Sequence, residues 1–295
     1  MNWKELFAGP RGIRAGWRLL VFLAIAVALM AGLPWLANWI GYRPHSGWHP
    51  VDFLVSDGLG FVALLIAAAV MARIEHSRQR DYGLWPSEGF TRRFGEGLLW
   101  GAGTVAAVAA LIAACGGLSI LGLAPGKDLA TFAILWALAM VILGLFEEYL
   151  FRGYPQRTLA SAMGFWPAAA LLSGLFGALH YFTKPRETLA DAVSVAAIGL
   201  LLCLTLRRSG DLWLAVGYHA AFDYAALVVL ASPNTGMAPG ERAMGHLLET
   251  SYHGSPWLTG GECGLEASLW MFPVLAAVFL LFSRVHRPRV SGRKL

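Results

Sequence analysis

The chain has 295 residues, of which 57% are hydrophobic and only 14% charged, against about 25% charged in soluble domains. That balance excludes a soluble globular protein and describes an integral membrane protein. The formal net charge of +5 comes from basic residues spread over short loops, which excludes a nucleic-acid-binding patch, and Cys115, Cys203 and Cys263 form neither a disulfide framework nor a metal-type pair.

In chain order, Met1 to Arg18 is basic and partly amphipathic, as a segment lying on a membrane surface would be. Eight hydrophobic segments follow, each spanning or nearly spanning when about 17–25 residues cross a bilayer. They are Trp17–Ile40, Val51–Met71, Gly97–Leu121, Thr131–Phe151, Trp166–Phe182, Ala192–Leu206, Leu212–Leu230 and Leu265–Phe282. The first is long and lacks a small-residue cleavage pattern, so it reads as an anchor and not as a removable signal peptide. The sixth is short. Trp17, Trp35, Trp39, Trp166 and Trp213 fall at segment ends, where an interfacial aromatic belt belongs. There is no internal repeat and no low-complexity tract. The expected fold is an all-α polytopic membrane bundle of about eight transmembrane helices, forming one integral membrane domain over residues 1–295.

Loop charge sets the orientation. Of the 23 Lys and Arg residues, 18 fall on one side, and only Arg43, Lys127, Lys184, Arg186 and Arg242 on the other. The positive-inside rule then places both termini in the cytoplasm, and we take the membrane to be the bacterial inner (plasma) membrane. The longest non-cytoplasmic loop, Ala231 to Gly264, is rich in Gly, Pro, Ser and Thr, and is either a cap on the bundle or an irregular connection.

Ionisable residues inside the segments are few and clustered. The fourth segment ends in Glu147, Glu148 and Arg152; the fifth carries His180; the seventh carries His219 and Asp223. A charge at the bilayer centre costs at least ~2.5–3.5 kcal/mol, so such residues need partners or a water-filled cavity and are functional candidates by default. Glu148 and Arg152 are four apart on one helix face, in the order that favours an ion pair. Glu147 points about 100° away and is free to act. Phe176 can pack beneath His180, also four apart, and Asp223 can hold one nitrogen of His219. One Glu and two His on three helices, with an Asp beside one His, can activate water: a carboxylate as general base, with imidazoles that orient, donate or bind metal.

Each feature also has a bland reading. Glu148 with Arg152 is a structural ion pair, His180 an interfacial residue, and His219 with Asp223 a buried pair that locks two helices. Asp57, Glu96 and Glu266 lie near segment ends and read as solvated or capping. His246, Glu249, His253 and Glu262 have no metal-ligand spacing.

Taken together, the motifs resemble the CPBP intramembrane proteases, the CAAX-processing or Abi family. Glu147-Glu148-Tyr149-Leu150-Phe151-Arg152 is similar to its EExxxR motif, Phe176 to His180 to FxxxH, and His219 to Asp223 to HxxxN/D, in the family's order and within residues 131–230. The resemblance implies an endopeptidase acting in or near the membrane on a membrane-associated or lipidated protein. It makes Glu147 the general base, assisted by His180, with His219 and Asp223 facing the oxyanion and Glu148, Arg152 and Phe176 in support. It also leaves room for zinc or another divalent metal, for which Glu147, His180, His219 and Asp223 are the donor set, although the HExxH pair of other zinc proteases is absent. Position 223 is Asp where the prenyl-protein-processing members carry Asn, and an ionised carboxylate cannot donate to an oxyanion. Asp223 must then be protonated, orient His219 or bind metal. The alternatives are a non-catalytic bacteriocin-immunity or scaffold protein on the same fold, and a transporter or proton relay, for which the inverted repeats with broken helices are missing. His180 falls late in its segment, so the site requires a long or tilted fourth helix and a cavity inside the bilayer.

Overall fold

The computed structural model describes residues 8–9 and 12–287. Half of the N-terminal surface segment, and Lys4, Arg11, Arg289, Arg293 and Lys294 of the charge asymmetry, lie outside these residues. Strands β1 (Ala8–Gly9) and β2 (Gly12–Ile13) pair antiparallel before the first helix.

Helix α1 (Ala15–Ala31) is separated from α2 (Leu33–Trp39) at Gly32, with Pro34 in the first turn of α2; a proline there has no N–H to continue the preceding ladder. Helix α3 (Pro50–Ile74) starts with His49 Nδ1 accepting from the Val51 amide and proline at its first position, both good helix-start devices. Helix α4 (Phe90–Ala114) stops short of the expected Leu121. Gly116 takes φ +77°, a conformation favouring glycine, and β3 (Leu118–Leu123) follows. Helix α5 (Leu129–Glu148) runs through a π-helical turn, Tyr149–Gly153, into α6 (Tyr154–Met163). Helices α7 (Phe165–Thr183) and α8 (Leu189–Ser209) form the next pair. Helix α9 (Trp213–Asp223) ends in a second π-helical turn, Tyr224–Val229. After β4 (Leu248–Tyr252), the short α10 (Pro256–Thr259) and α11 (Met271–Val285) complete the described chain.

The fold is the expected polytopic helical membrane bundle. Among the described residues six helices are long and apolar enough to cross a membrane, and Trp213–Val229 and Met271–Val285 are shorter apolar helices. A little sheet accompanies them: β3 and β4 pair antiparallel across a bulge between Ile120 and Gly122.

Helix α9 lies at the centre, against α4, α5 and α8. Lipid supplies no hydrophobic drive between helices, so close backbone approach through small residues has to serve. A Cβ at Gly97 would strike the Leu214 carbonyl, one at Gly101 the Tyr218 carbonyl, and one at Gly217 the Phe94 carbonyl. The α4–α9 pair is thus closed by glycines on both sides. The loop after α9 caps the bundle. The Trp136 indole donates to the Met244 carbonyl at 2.7 Å, the Trp48 indole to the Gly236 carbonyl at 3.2 Å, and Arg242 to the Ala231 carbonyl and Thr250.

Candidate active site

Glu147 and Glu148 close α5, and Arg152 sits in the π-turn that follows. The turn has a local cause. Pro155 lacks the amide for an α-helical bond to Phe151, and its ring would press on that carbonyl, so the helix widens ahead of it. The helical run Leu129–Met163 is 35 residues long, about 52 Å at 1.5 Å per residue, well over the ~30 Å of hydrocarbon. Met163 stands 15 residues beyond Glu148, and His180 stands 15 residues beyond Phe165. Helix α6 descends and α7 climbs back by the same length, which returns His180 to the level of Glu147. The long fourth helix required by the motif positions is present.

The centre of the site is His219. Its Nδ1–H donates to Glu148 Oε1 at 2.8 Å, and the same oxygen receives Arg152 Nη1 at 3.2 Å. Its Nε2 faces Asp223 Oδ2 at 3.3 Å and Glu147 Oε2 at 3.6 Å. Asp223 therefore stands beside His219 as the spacing indicated, but the ring nitrogen fixing its orientation is held by Glu148. The Glu148 and Arg152 side chains are fully buried, whereas 21% of Glu147 is accessible. The Arg152 guanidinium lies 4.8 Å from the centre of the Phe176 ring, and Gly199 makes room for it, since a Cβ there would meet Arg152 Nη2 at 2.6 Å. Phe176 also packs edge-on against His180, ring centres 4.6 Å apart, and lies 6.4 Å from His219. The Nδ1–H of His180 donates to the Phe176 carbonyl at 3.0 Å, which leaves Nε2 as the free acceptor of the neutral ring.

Glu147, Phe176, His180, His219 and Asp223 line one cavity of about 280 Å³. Glu148 and Arg152 stand behind its wall. The cavity also takes in Asp57 and Glu266, which the sequence suggested were solvated or capping, and Lys184, with Trp48 and Asn234 from the capping segments. Asp57 and Glu266 thus line the cavity and are not solvated or capping residues. The signal for Asp57 is its place about two turns into the Val51–Met71 segment; Lys184 and Glu266 carried none locally. Glu96, by contrast, pairs on the surface with Arg92 at 2.8 Å. Burial works against the Lys184 ammonium, but Glu266, Asp191 and Glu187 outweigh it and hold its pKa above the ordinary lysine value. Burial pushes the Glu266 carboxyl up to about 7, against the pull of Lys184 and with help from Asp223 and Glu187.

Among the described residues no group of three or more His, Cys, Asp and Glu side chains is arranged to hold a metal ion.

The chain matches no curated protein. Residues 129–225, which contain all three motifs, match the family model described as type II CAAX prenyl endopeptidase Rce1-like. Across this third of the chain, α5 to α9, the protein is similar to that family, consistent with the CPBP (CAAX-processing) resemblance of its motifs.

Proposed function

We propose that the protein hydrolyses a peptide bond of a prenylated, membrane-anchored protein, inside a bacterial inner membrane and with both of its own termini in the cytoplasm. The observation that carries this reading is the meeting of Glu147, His219 and Asp223 with His180 on one cavity within the bundle. The prenylated substrate follows from the description of the matching family.

Glu147 is the general base. Its accessible carboxylate takes a proton from a water held between it and the scissile carbonyl, while His180 Nε2 accepts that water's second hydrogen and orients it. The carbonyl oxygen becomes an oxyanion as the C–O bond forms. His219 stabilises it from Nε2, with Nδ1 pinned by Glu148 so that the ring cannot turn away. Asp223 holds the Nε2 edge in place. Arg152 neutralises Glu148, so the orienting carboxylate is not left as an unpaired buried charge. No step runs through a metal.

The test is hydrolysis of a fluorogenic prenylated peptide by protein reconstituted in liposomes. Glu147→Gln should lower the rate by about 10²–10⁴-fold, the range for general-base removal, with thermal unfolding unchanged; undiminished cleavage overturns the assignment. Native activity should survive exhaustive chelation. Loss of activity restored by zinc would replace this mechanism with a metal-dependent one.

A further inference from the structure

Peptide hydrolysis needs an acid as well as a base, because an amine leaves poorly until its nitrogen is protonated. The protons of the motif residues are already engaged. His219 is held between Glu148 and two further carboxyls, and the one N–H of neutral His180 is spent on the Phe176 carbonyl. Glu266 is balanced by Lys184.

Asp57 is different. It comes from α3, outside the matched residues 129–225, yet it lines the same cavity as Glu147. Its Oδ1 accepts from Ser56 at 3.3 Å, while its Oδ2 is buried with no hydrogen-bond partner. A buried, unpartnered carboxyl oxygen calls for a reason, and more so within a bilayer. Helix α3 is brought against α5 beside Glu147 through Gly60, where a Cβ would meet the Phe146 ring at 2.9 Å. The two carboxyls line the same cavity. Two carboxyls facing one low-dielectric cavity are easiest to hold with a proton on one of them, which divides the roles: Glu147 ionised as base, Asp57 protonated as acid.

Building on the hydrolase reading above, we propose that Asp57 is the general acid that protonates the departing amine. Water attacks the carbonyl carbon and its proton passes to Glu147. The C–N bond then breaks, and the nitrogen takes the proton of the Asp57 carboxyl. The proton on Glu147 returns to Asp57 through cavity water, leaving a carboxylic acid and an amine.

The leaving group provides the test. In a thiodepsipeptide, with sulfur in place of the scissile NH, the thiolate (pKa ~8.5 for a cysteine-like thiol) leaves without a proton. Asp57→Asn should lower hydrolysis of the prenylated amide peptide by about 10²–10⁴-fold while the matching thiodepsipeptide stays within about threefold of the native rate, because only the first needs the acid. Retained thioester hydrolysis also shows that the variant is folded, and Asp57→Glu should recover part of the amide rate. Equal loss on both substrates, or undiminished amide hydrolysis, overturns the proposal. Glu147→Gln should lose both substrates; if it keeps both, the hydrolase reading fails irrespective of Asp57.

Discussion

Glu148 accepts a 2.8 Å hydrogen bond from His219 Nδ1 on the oxygen that also receives Arg152 at 3.2 Å. The second glutamate of the pair therefore does two things, neutralising a buried guanidinium and setting the orientation of the imidazole. The two can be separated. Glu148→Ala leaves Arg152 buried without a counter-charge, which should cost about 3–5 kcal/mol of stability. The double variant Glu148→Ala with Arg152→Met removes that charge and should regain most of the loss in thermal unfolding. It should stay inactive, because nothing then holds Nδ1. Recovery of cleavage in the double variant would reduce Glu148 to a mere partner of Arg152.

The glycine contact between α4 and α9 gives a stability prediction with an internal control. At Gly101 a Cβ runs into the Tyr218 carbonyl, and at Gly217 into the Phe94 carbonyl, so alanine at either position forces the helices apart. Each substitution should cost about 1–3 kcal/mol, the usual range for overpacking. Gly103 is two residues along α4 with nothing within 4 Å of its missing Cβ. Gly103→Ala should therefore stabilise, by roughly 0.5–1 kcal/mol, through helix propensity alone. Equal effects at positions 101 and 103 would refute the close contact.

How much of this was legible beforehand depended on the range of the interaction. The three four-residue spacings, Glu148–Arg152, Phe176–His180 and His219–Asp223, all form contacts, because helical periodicity is local and hydropathy marks the helices. The partner of His219 Nδ1 was not legible, because Glu148 lies 71 residues away in sequence, and spacing within one helix has nothing to say about that.

Segment ends failed for similar reasons. Cys115 to Leu121 is apolar and looks like more helix, but Leu118–Leu123 finds a strand partner in Leu248–Tyr252, invisible to any local pattern. The sixth segment appeared short because Arg207 and Arg208 looked like its end. They are the last turn of α8, which closes at Gly210, where cations complement the helix dipole. Asp57 and Glu266 looked solvated, since lining a cavity shared by several helices is a tertiary property.

The buried Glu266 gives a pH dependence whose sign can be worked out. Its carboxyl lies outside the spanning helices, with its pKa pushed up to about 7 by burial, above the ordinary value of about 4.3 in an unfolded chain. The folded state thus favours the protonated form. Its contribution to stability is complete below the unfolded pKa and is lost as pH rises through about 7, at no more than about 1.4 kcal/mol per pH unit. Glu266→Gln should flatten the fall in melting temperature between about pH 5 and 7, the window bounded by the ordinary carboxyl value and the raised one. A native protein equally stable across that window would show that the carboxyl is solvated after all.

Asp223 provides the last prediction. Its Oδ2 stands 3.3 Å from His219 Nε2, the nitrogen that also faces Glu147. If its task is to hold that edge of the ring beside the oxyanion, an amide of the same shape can do it, and can also donate to the oxyanion directly. Asp223→Asn should then keep cleavage within about tenfold of native, whereas Asp223→Ala, which removes both the support and any donor, should fall by about 10²–10³-fold, the usual cost of losing one oxyanion-hole group. The pair of variants separates shape from charge. If Asn is as damaging as Ala, the carboxylate itself is required, as a charge beside His219, and the oxyanion must be stabilised by His219 alone.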